Sequence, residues 1–217
     1  MGLKGTGFLA IWHGLEAGYE KAFEAWHTVE HMPERLGIPG FLRGRRYMNW
    51  QVHPRVCFTL YETSHPEVLR SPGYLARLNA PTPWSQQVQP HMVHFLRGAC
   101  ETVLSLGDGV AGSALVVRLL ADEGHDAAAA EPALRHLAVD LGLAAGVTAV
   151  HVGRHRREVA SAPTGETALR PAAPVDPFDF VLIVETLDAG YAAARIEPLT
   201  AAAAGAGLRT VGADVYH

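Results

Sequence analysis

The sequence predicts an α+β chain of two tandem ferredoxin-like βαββαβ repeats, residues 1–106 and 107–217. Three observations predict it. Strand-like and helix-like stretches alternate in the order β-α-β-β-α-β, twice over, which is the split βαβ plan. FTLYET at 58–63 recurs as VLIVET at 181–186, and HMPERLGIPGF at 31–41 is echoed by HLAVDLGLAAGV at 136–147. Gly107-Asp108-Gly109 reads as the turn or linker between the halves, since no strand or helix signal crosses it.

Each element has its own justification. Alternating or fully apolar runs bounded by Gly, Pro, Asn or Asp mark strands at 7–13, 41–49, 56–62, 91–97, 114–120, 147–154, 178–185 and 208–216. Leu15, Tyr19, Ala22, Phe23, Trp26 and Val29 fall at helical spacing, predicting an amphipathic helix over 15–32. Segments 131–141 and the Ala-rich 189–204 supply the helices of the second half, and 74–79 a short one in the first. The Pro/Ala-rich stretch 160–177 interrupts the second repeat and is expected to be an exposed insertion.

A four-stranded antiparallel sheet with helices on one face leaves the other face bare. Extended apolar faces do not stay in water. Two such faces, supplied by the two repeats, cover one another when they pack into an α+β barrel, and the space between the sheets is then the natural ligand pocket.

Composition narrows the function. The chain of 217 residues is 48% hydrophobic and 18% charged, an ordinary globular balance, and its formal net charge is -4. That balance offers no basic footprint for nucleic acid or an anionic membrane. Cys57 and Cys100 belong to no CxxC pattern and are expected as buried thiols of a reduced cytoplasmic protein. The N-terminal apolar run is too short for a signal peptide or a span. Twelve histidines stand out, because His carries protons near neutral pH.

The densest polar stretch is AWHTVEHMPERLGIPGFLRGRRY, residues 25–47. His27-x-x-Glu30-His31 spells an inverted zinc-protease motif. A helical wheel, however, puts Glu20, Glu24, His27, His31 and Glu34 in one polar column, which a solvated surface helix explains without metal. Pro33 biases Met32 out of the helix and leaves His31 at its end. No metal site is expected. Arg46 shares a strand face with Leu42, Gly44, Met48 and Trp50, predicted to be buried, where a guanidinium needs a carboxylate or an anionic ligand.

The helix ending in Trp26, Glu30, His31 and Pro33, followed by Gly40, Phe41, Arg46 and Tyr47 on the next strand, resembles the dimeric α+β barrel superfamily. It is most similar to EthD-like proteins and their antibiotic-biosynthesis-monooxygenase relatives. The resemblance implies a small-molecule pocket and, if catalysis occurs, an oxygenase- or isomerase-type reaction without a nucleotide cofactor. The expected ligand is a small hydrophobic or aromatic molecule, and the chain is expected to be cytoplasmic, with a homodimer possible in such a superfamily. A non-catalytic binding or oligomerisation module is the alternative. Haem, with His31, His91 or His94 as axial ligand, is a further one. In the catalytic reading His31 is general acid or base, His91 or His94 a second proton-transfer group, and Arg46 an anion stabiliser. Trp12, His13, Glu30 and Tyr47 line the ligand.

The second half is poor in such groups. AAAAEPALRHLAVDLGLAAGVTAV (127–150) is mostly Ala, Leu and Val, and His151, Arg154, His155, Arg156 and Arg157 read as a solvated strand end. The second repeat is therefore expected to be scaffold.

Overall fold

A computed structural model describes residues 2–159, 163–173 and 176–217. One eight-stranded antiparallel sheet organises the chain, in the order β2-β3-β1-β4-β6-β7-β5-β8. Its strands are β1 (Gly7–Leu15), β2 (Phe41–Met48), β3 (Cys57–Thr63), β4 (Met92–Leu106), β5 (Ser113–Ala121), β6 (Val147–His155), β7 (Phe180–Thr186) and β8 (Leu208–Tyr216). All eight lie where the sequence places strands. β4 extends well beyond the expected Arg97, because it pairs first with β1 and then, from Cys100 to Leu106, with β6. That long strand joins the two four-strand groups. The outermost strands also meet: Met48 and His217 exchange backbone hydrogen bonds of 2.8 and 3.1 Å.

The two faces of the sheet differ. One gathers Phe8, Trp12, Phe58, Phe178, Ile183 and Tyr216 from strands far apart in the order. Trp12 meets Phe178, and Phe58 meets Tyr216, each at 5.7 Å between ring centroids. This aromatic interior also holds a chain of buried charge. Arg45 bridges Glu62 (3.2 Å) and Glu185 (2.5 Å), Arg43 adds to Glu62, and His151 bonds Glu185 and Ser105. Glu62 and Glu185 come from the matching FTLYET and VLIVET segments. His151, expected at a solvated strand end, is only 1% exposed, because its strand position points it at Glu185.

Helices cover the other face. α5 (Ala127–Gly142), α7 (Ala189–Ala193) and α8 (Ile196–Gly205) pack on β5–β8 through Leu134, Ala138, Leu141, Ala192 and Leu199. The single helix expected over 189–204 is broken at Ala194, whose carbonyl would collide with the ring of Pro198 four residues on.

Over the first four strands lie α1 (Glu20–Trp26), a π turn at His27–His31, and α2 (Met32–Leu36). Then come α3 (Pro72–Asn79), capped by the Ser71 hydroxyl, and α4 (Pro83–Val88), capped by Thr82. The helix does not stop at Pro33. In the π turn the Met32 N–H reaches back five residues to the His27 carbonyl, so the ladder is already rearranged where Pro33 lacks its donor. The extra residue rotates everything after it by about 100° relative to an α-helical wheel. Two expectations change here: Val29 of the expected apolar stripe, inside the turn, is 68% exposed, and His27, assigned by the wheel to a solvated column, is 4% exposed because it follows Phe23 by one ordinary turn and faces Tyr61.

Two further expectations change. On β2, Leu42 is exposed and Phe41 and Tyr47 are buried, because a bulge between Phe41 and Arg43 shifts the alternation and both faces are covered; Trp50 is exposed in the turn beyond the strand. The insertion 160–177 is exposed only in part. A single-turn helix within it, α6 (Gly165–Leu169), closes over the first half, with a Thr164–Thr167 capping box and the Gly165 N–H bonded to Asn79. Positions 160–162 and 174–175 of that insertion lie outside the described residues.

Candidate functional site

A cleft lies between the π turn with its flanking helices and the outer face of β1, β3 and β4. Its floor is Leu9, Ile11 and His13 of β1, Thr59 and Tyr61 of β3, and Phe95 and Arg97 of β4. Its roof is Trp26, His27, His31 and Arg35, with Tyr74 and Leu78 from α3. The insertion supplies Glu166 and Arg170 at the side. The free space is about 30 Å³, room for two or three waters at roughly 10–15 Å³ each.

Three histidines converge here. Ring centroids step from His13 to Phe23 at 4.8 Å, Phe23 to His27 at 5.1 Å, and His27 to His31 at 5.4 Å, with Trp26 against His31 at 4.3 Å. Burial, reinforced by nearby guanidiniums, lowers His13 to about 4 and His27 to about 3, and holds His31 well below the usual imidazole range. All three are neutral at pH 7. His13 Nδ1 is tied to the Gly14 carbonyl at 2.9 Å, and Tyr61 Oη stands 3.4 Å from His27 Nε2. His31 Nδ1 is buried without a partner among the described residues.

Cations frame these imidazoles. Arg35, 2% exposed, is paired with Glu166, also 2% exposed, and with Glu34 at 3.1 Å. Burial opposes the charge on Arg35, and Glu166, Tyr74 and Glu34 together more than compensate, raising its pKa. Arg170 bonds Glu166 at 3.1 Å and lies 3.9 Å from the centre of the Phe95 ring. Its pKa drops to about 10 through burial and the neighbouring Arg97 and Arg35. Arg97 donates to the Tyr74 hydroxyl at 3.3 Å. Neutral bases beside fixed guanidiniums can accept a proton from a bound molecule and hold the oxyanion that results.

Of the residues expected from sequence, His31 and His13 reach this cleft. Arg46 lies nearby but does not line it: its guanidinium sits 5.6 Å over Phe23, bonded to Thr28, and its charge disfavours protonation of His13 and His27. Glu30 stands behind Trp26, accepting from its indole N–H and from Thr82. Trp12 and Tyr47 face the aromatic interior on the opposite side of the sheet. His91 is stacked on Tyr19 and bonded to Glu16. His94 is exposed at the start of β4, with a positive φ of 52°. Strand alternation alone separates Trp12 from His13. Sequence reasoning missed Arg35, Tyr61, Tyr74, Glu166 and Arg170. Only Arg97 carried a signal, by sharing the Phe95 face of β4.

His31, Glu34 and Glu166 offer ligand atoms within 4.8 Å of one another. Arg35 and Arg170 already neutralise both carboxylates there and would repel a cation. For a haem, His31 would supply the ligand atom, and the macrocycle, like any ring-sized ligand, would need α6 to move off a free space of about 30 Å³. Cys57 and Cys100 are free and buried, and burial pushes the Cys57 thiol up to about 12, so neither is a nucleophile.

No family model and no curated protein matches this sequence. Solved structures do match in fold. A candidate monooxygenase of Fusobacterium nucleatum superposes with a TM-score of 0.57 at 8% identity, over 99% of this chain and 92% of that one. An anthrone oxidase-like protein gives 0.58 at 11%, over 100% and 92%. Chlorite dismutase of Candidatus Nitrospira defluvii, in complex with imidazole, gives 0.58 at 10%, over 99% and 92%. At such identities the likeness is one of fold. The chain shares its α+β architecture with monooxygenase-like and chlorite dismutase-like proteins. Among the described residues, no helix is long and apolar enough to cross a membrane.

Proposed function

We propose that this chain is a small-molecule enzyme of the oxygenase type, working without a nucleotide cofactor in the cleft roofed by His27 and His31. Its frame in this reading is two ferredoxin-like repeats, 1–106 and 107–217, closed into one barrel. The strand order, the β4–β6 junction and the Met48–His217 backbone pair support that frame. The observation that carries the function is the convergence of three buried neutral imidazoles with Arg35, Arg97 and Arg170. Such an array has a chemical use and no packing advantage, since buried polar groups cost stability unless paired.

His31 is the base in this reading, because its Nδ1 is the buried nitrogen left without a partner. It takes a proton from an acidic C–H or O–H of an aromatic substrate, and the guanidiniums hold the resulting oxyanion. The electron-rich anion then reduces O₂ directly. For an anthrone, one O₂ is consumed per molecule, giving the quinone and one water. A substrate ring enters only when α6, held through Glu166 and Asn79, moves off the cleft. The small free space is the one observation that favours the alternative, a cluster serving packing alone.

Oxygen uptake with anthrone, followed by an electrode and by quinone absorbance, separates the two. The wild type should exceed the buffer rate, and His31→Gln should lose on the order of 10²-fold or more in kcat. An unchanged rate in His31→Gln, or none above buffer in the wild type, overturns the oxygenase reading.

A further inference from the structure

Charge in the cleft does not balance. Three guanidiniums line it, Arg35, Arg97 and Arg170, against one carboxylate, Glu166. Widening the circle to Glu34 brings in its second partner Arg77, at 3.8 Å, and leaves the same excess. No residue outside the described set is acidic, so no carboxylate is missing from the count. Arg97 has no ion-pair partner among the described residues and spends one N–H on a neutral phenol. Its Nε, the Arg170 Nε and His31 Nδ1 are all buried without a hydrogen-bond partner there. The two unpaired guanidinium donors and the surplus positive charge are both costly, and both are relieved by the same thing.

We infer that the cleft binds a ligand bearing a single negative charge on oxygen, a carboxylate or an ionised phenol or enol, seated among Arg97, Arg170 and His31. The inference rests on reading this cleft as a ligand site and names the ligand class. The existing space of about 30 Å³ takes an oxygen head group in place of water. The aromatic edges around it, Phe95, Tyr74 and Trp26, suit an apolar ring behind that head group. Arg170 gains most from an anion, because its own protonation is disfavoured to about 10 by burial and by Arg97 and Arg35. The seated anion would restore it.

Calorimetric titration of the full chain with benzoate and with benzamide, its neutral isostere, tests the charge. Benzoate should bind about tenfold or more tightly, the equivalent of one pKa unit. Arg97→Met and Arg170→Met should each erase most of that preference, and Arg97→Lys should keep it, with circular dichroism checking the fold of each. A second probe distinguishes the oxygen source: 4-nitrophenol bound here should ionise at lower pH than free, read from its yellow phenolate absorbance. A carboxylate-only site binds benzoate without that shift. Equal binding of benzoate and benzamide, or no binding of any of the three probes, overturns the inference, and this comparison needs no variant. The outcome is separable from oxygen chemistry. Benzoate preference without anthrone-dependent oxygen uptake leaves the anion site and removes the oxygenase; uptake without charge preference does the reverse.

Discussion

The helix-covered face of β1–β4 and that of β5–β8 occupy matching places in the strand order and are built of opposite materials. On one, His13, Thr59 and Tyr61 look up at His27, His31 and Arg35. On the other, Leu115, Val117, Leu119, Leu182 and Val184 meet Leu134, Ala138 and Leu141. The second region is what hydrophobic burial alone produces, aliphatic side chains close-packed between sheet and helices. The first gives up that simplicity for three desolvated imidazoles and a buried ion pair. It also recruits Glu166 and Arg170 from the insertion of the other half to complete itself. Close aliphatic packing and the polar cluster are thereby divided between two regions of one helix-covered sheet face.

The sharpest way to break this contrast is to remove Glu166. Glu166→Gln leaves Arg35 buried with only Glu34 beside it, and loss of one partner of such a pair costs about 3–5 kcal/mol. Urea denaturation at pH 7 measures it. Arg35→Met with Glu166→Leu removes both charges and should recover much of the loss. A Glu166→Gln cost below about 1 kcal/mol would mean the pair is solvated and α6 does not seal the cleft.

Acid separates the faces next. His13, His27 and His31 are neutral when folded and take protons on unfolding once the pH falls below 6.5. The unfolded state then binds more protons, so their contribution is complete above pH 6.5 and shrinks as pH falls. For His13 the loss runs from 6.5 to about 4 and amounts to something on the order of 3 kcal/mol. His13→Asn should flatten the pH dependence of unfolding free energy by roughly 1.4 kcal/mol per pH unit in that window. An unaltered slope would show that His13 is reached by water.

Strand positions were legible because their signal is local: apolar runs between turn residues, spelled nearly alike in FTLYET and VLIVET. The presence of a polar corner around His31 was legible for the same reason. Its membership was not. A wheel of 3.6 residues per turn cannot anticipate a π turn, so Val29 was put on the buried stripe, and His27 was given to the polar column although it stands one turn after the buried Phe23. Glu166 and Arg170 sit in a Pro/Ala-rich insertion that carries no periodicity, and only the need of a buried Arg35 for a carboxylate draws them in. Trp12 and Tyr47 lie on the opposite side of the sheet from the cleft, and a face-covered sheet buries both sides of a strand. Burial could not tell the interior from the cleft.

The π turn can itself be tested by the smallest effect. Ordinary helical spacing places Val29 in the buried stripe with Trp26, and its replacement by Ser would then cost well over 1 kcal/mol. The extra residue of the turn instead leaves Val29 68% exposed, while Trp26 is fully buried and hydrogen-bonded to Glu30 and Ser85. Val29→Ser should therefore stay within about 0.5 kcal/mol of the wild type, as surface substitutions do. Trp26→Ala should cost about 3–5 kcal/mol and loosen the wall against which His31 is held. A large penalty for Val29→Ser would restore the uninterrupted α-helix. His31 and Arg35, which follow the extra residue, would then rotate away from the places they hold in the cleft.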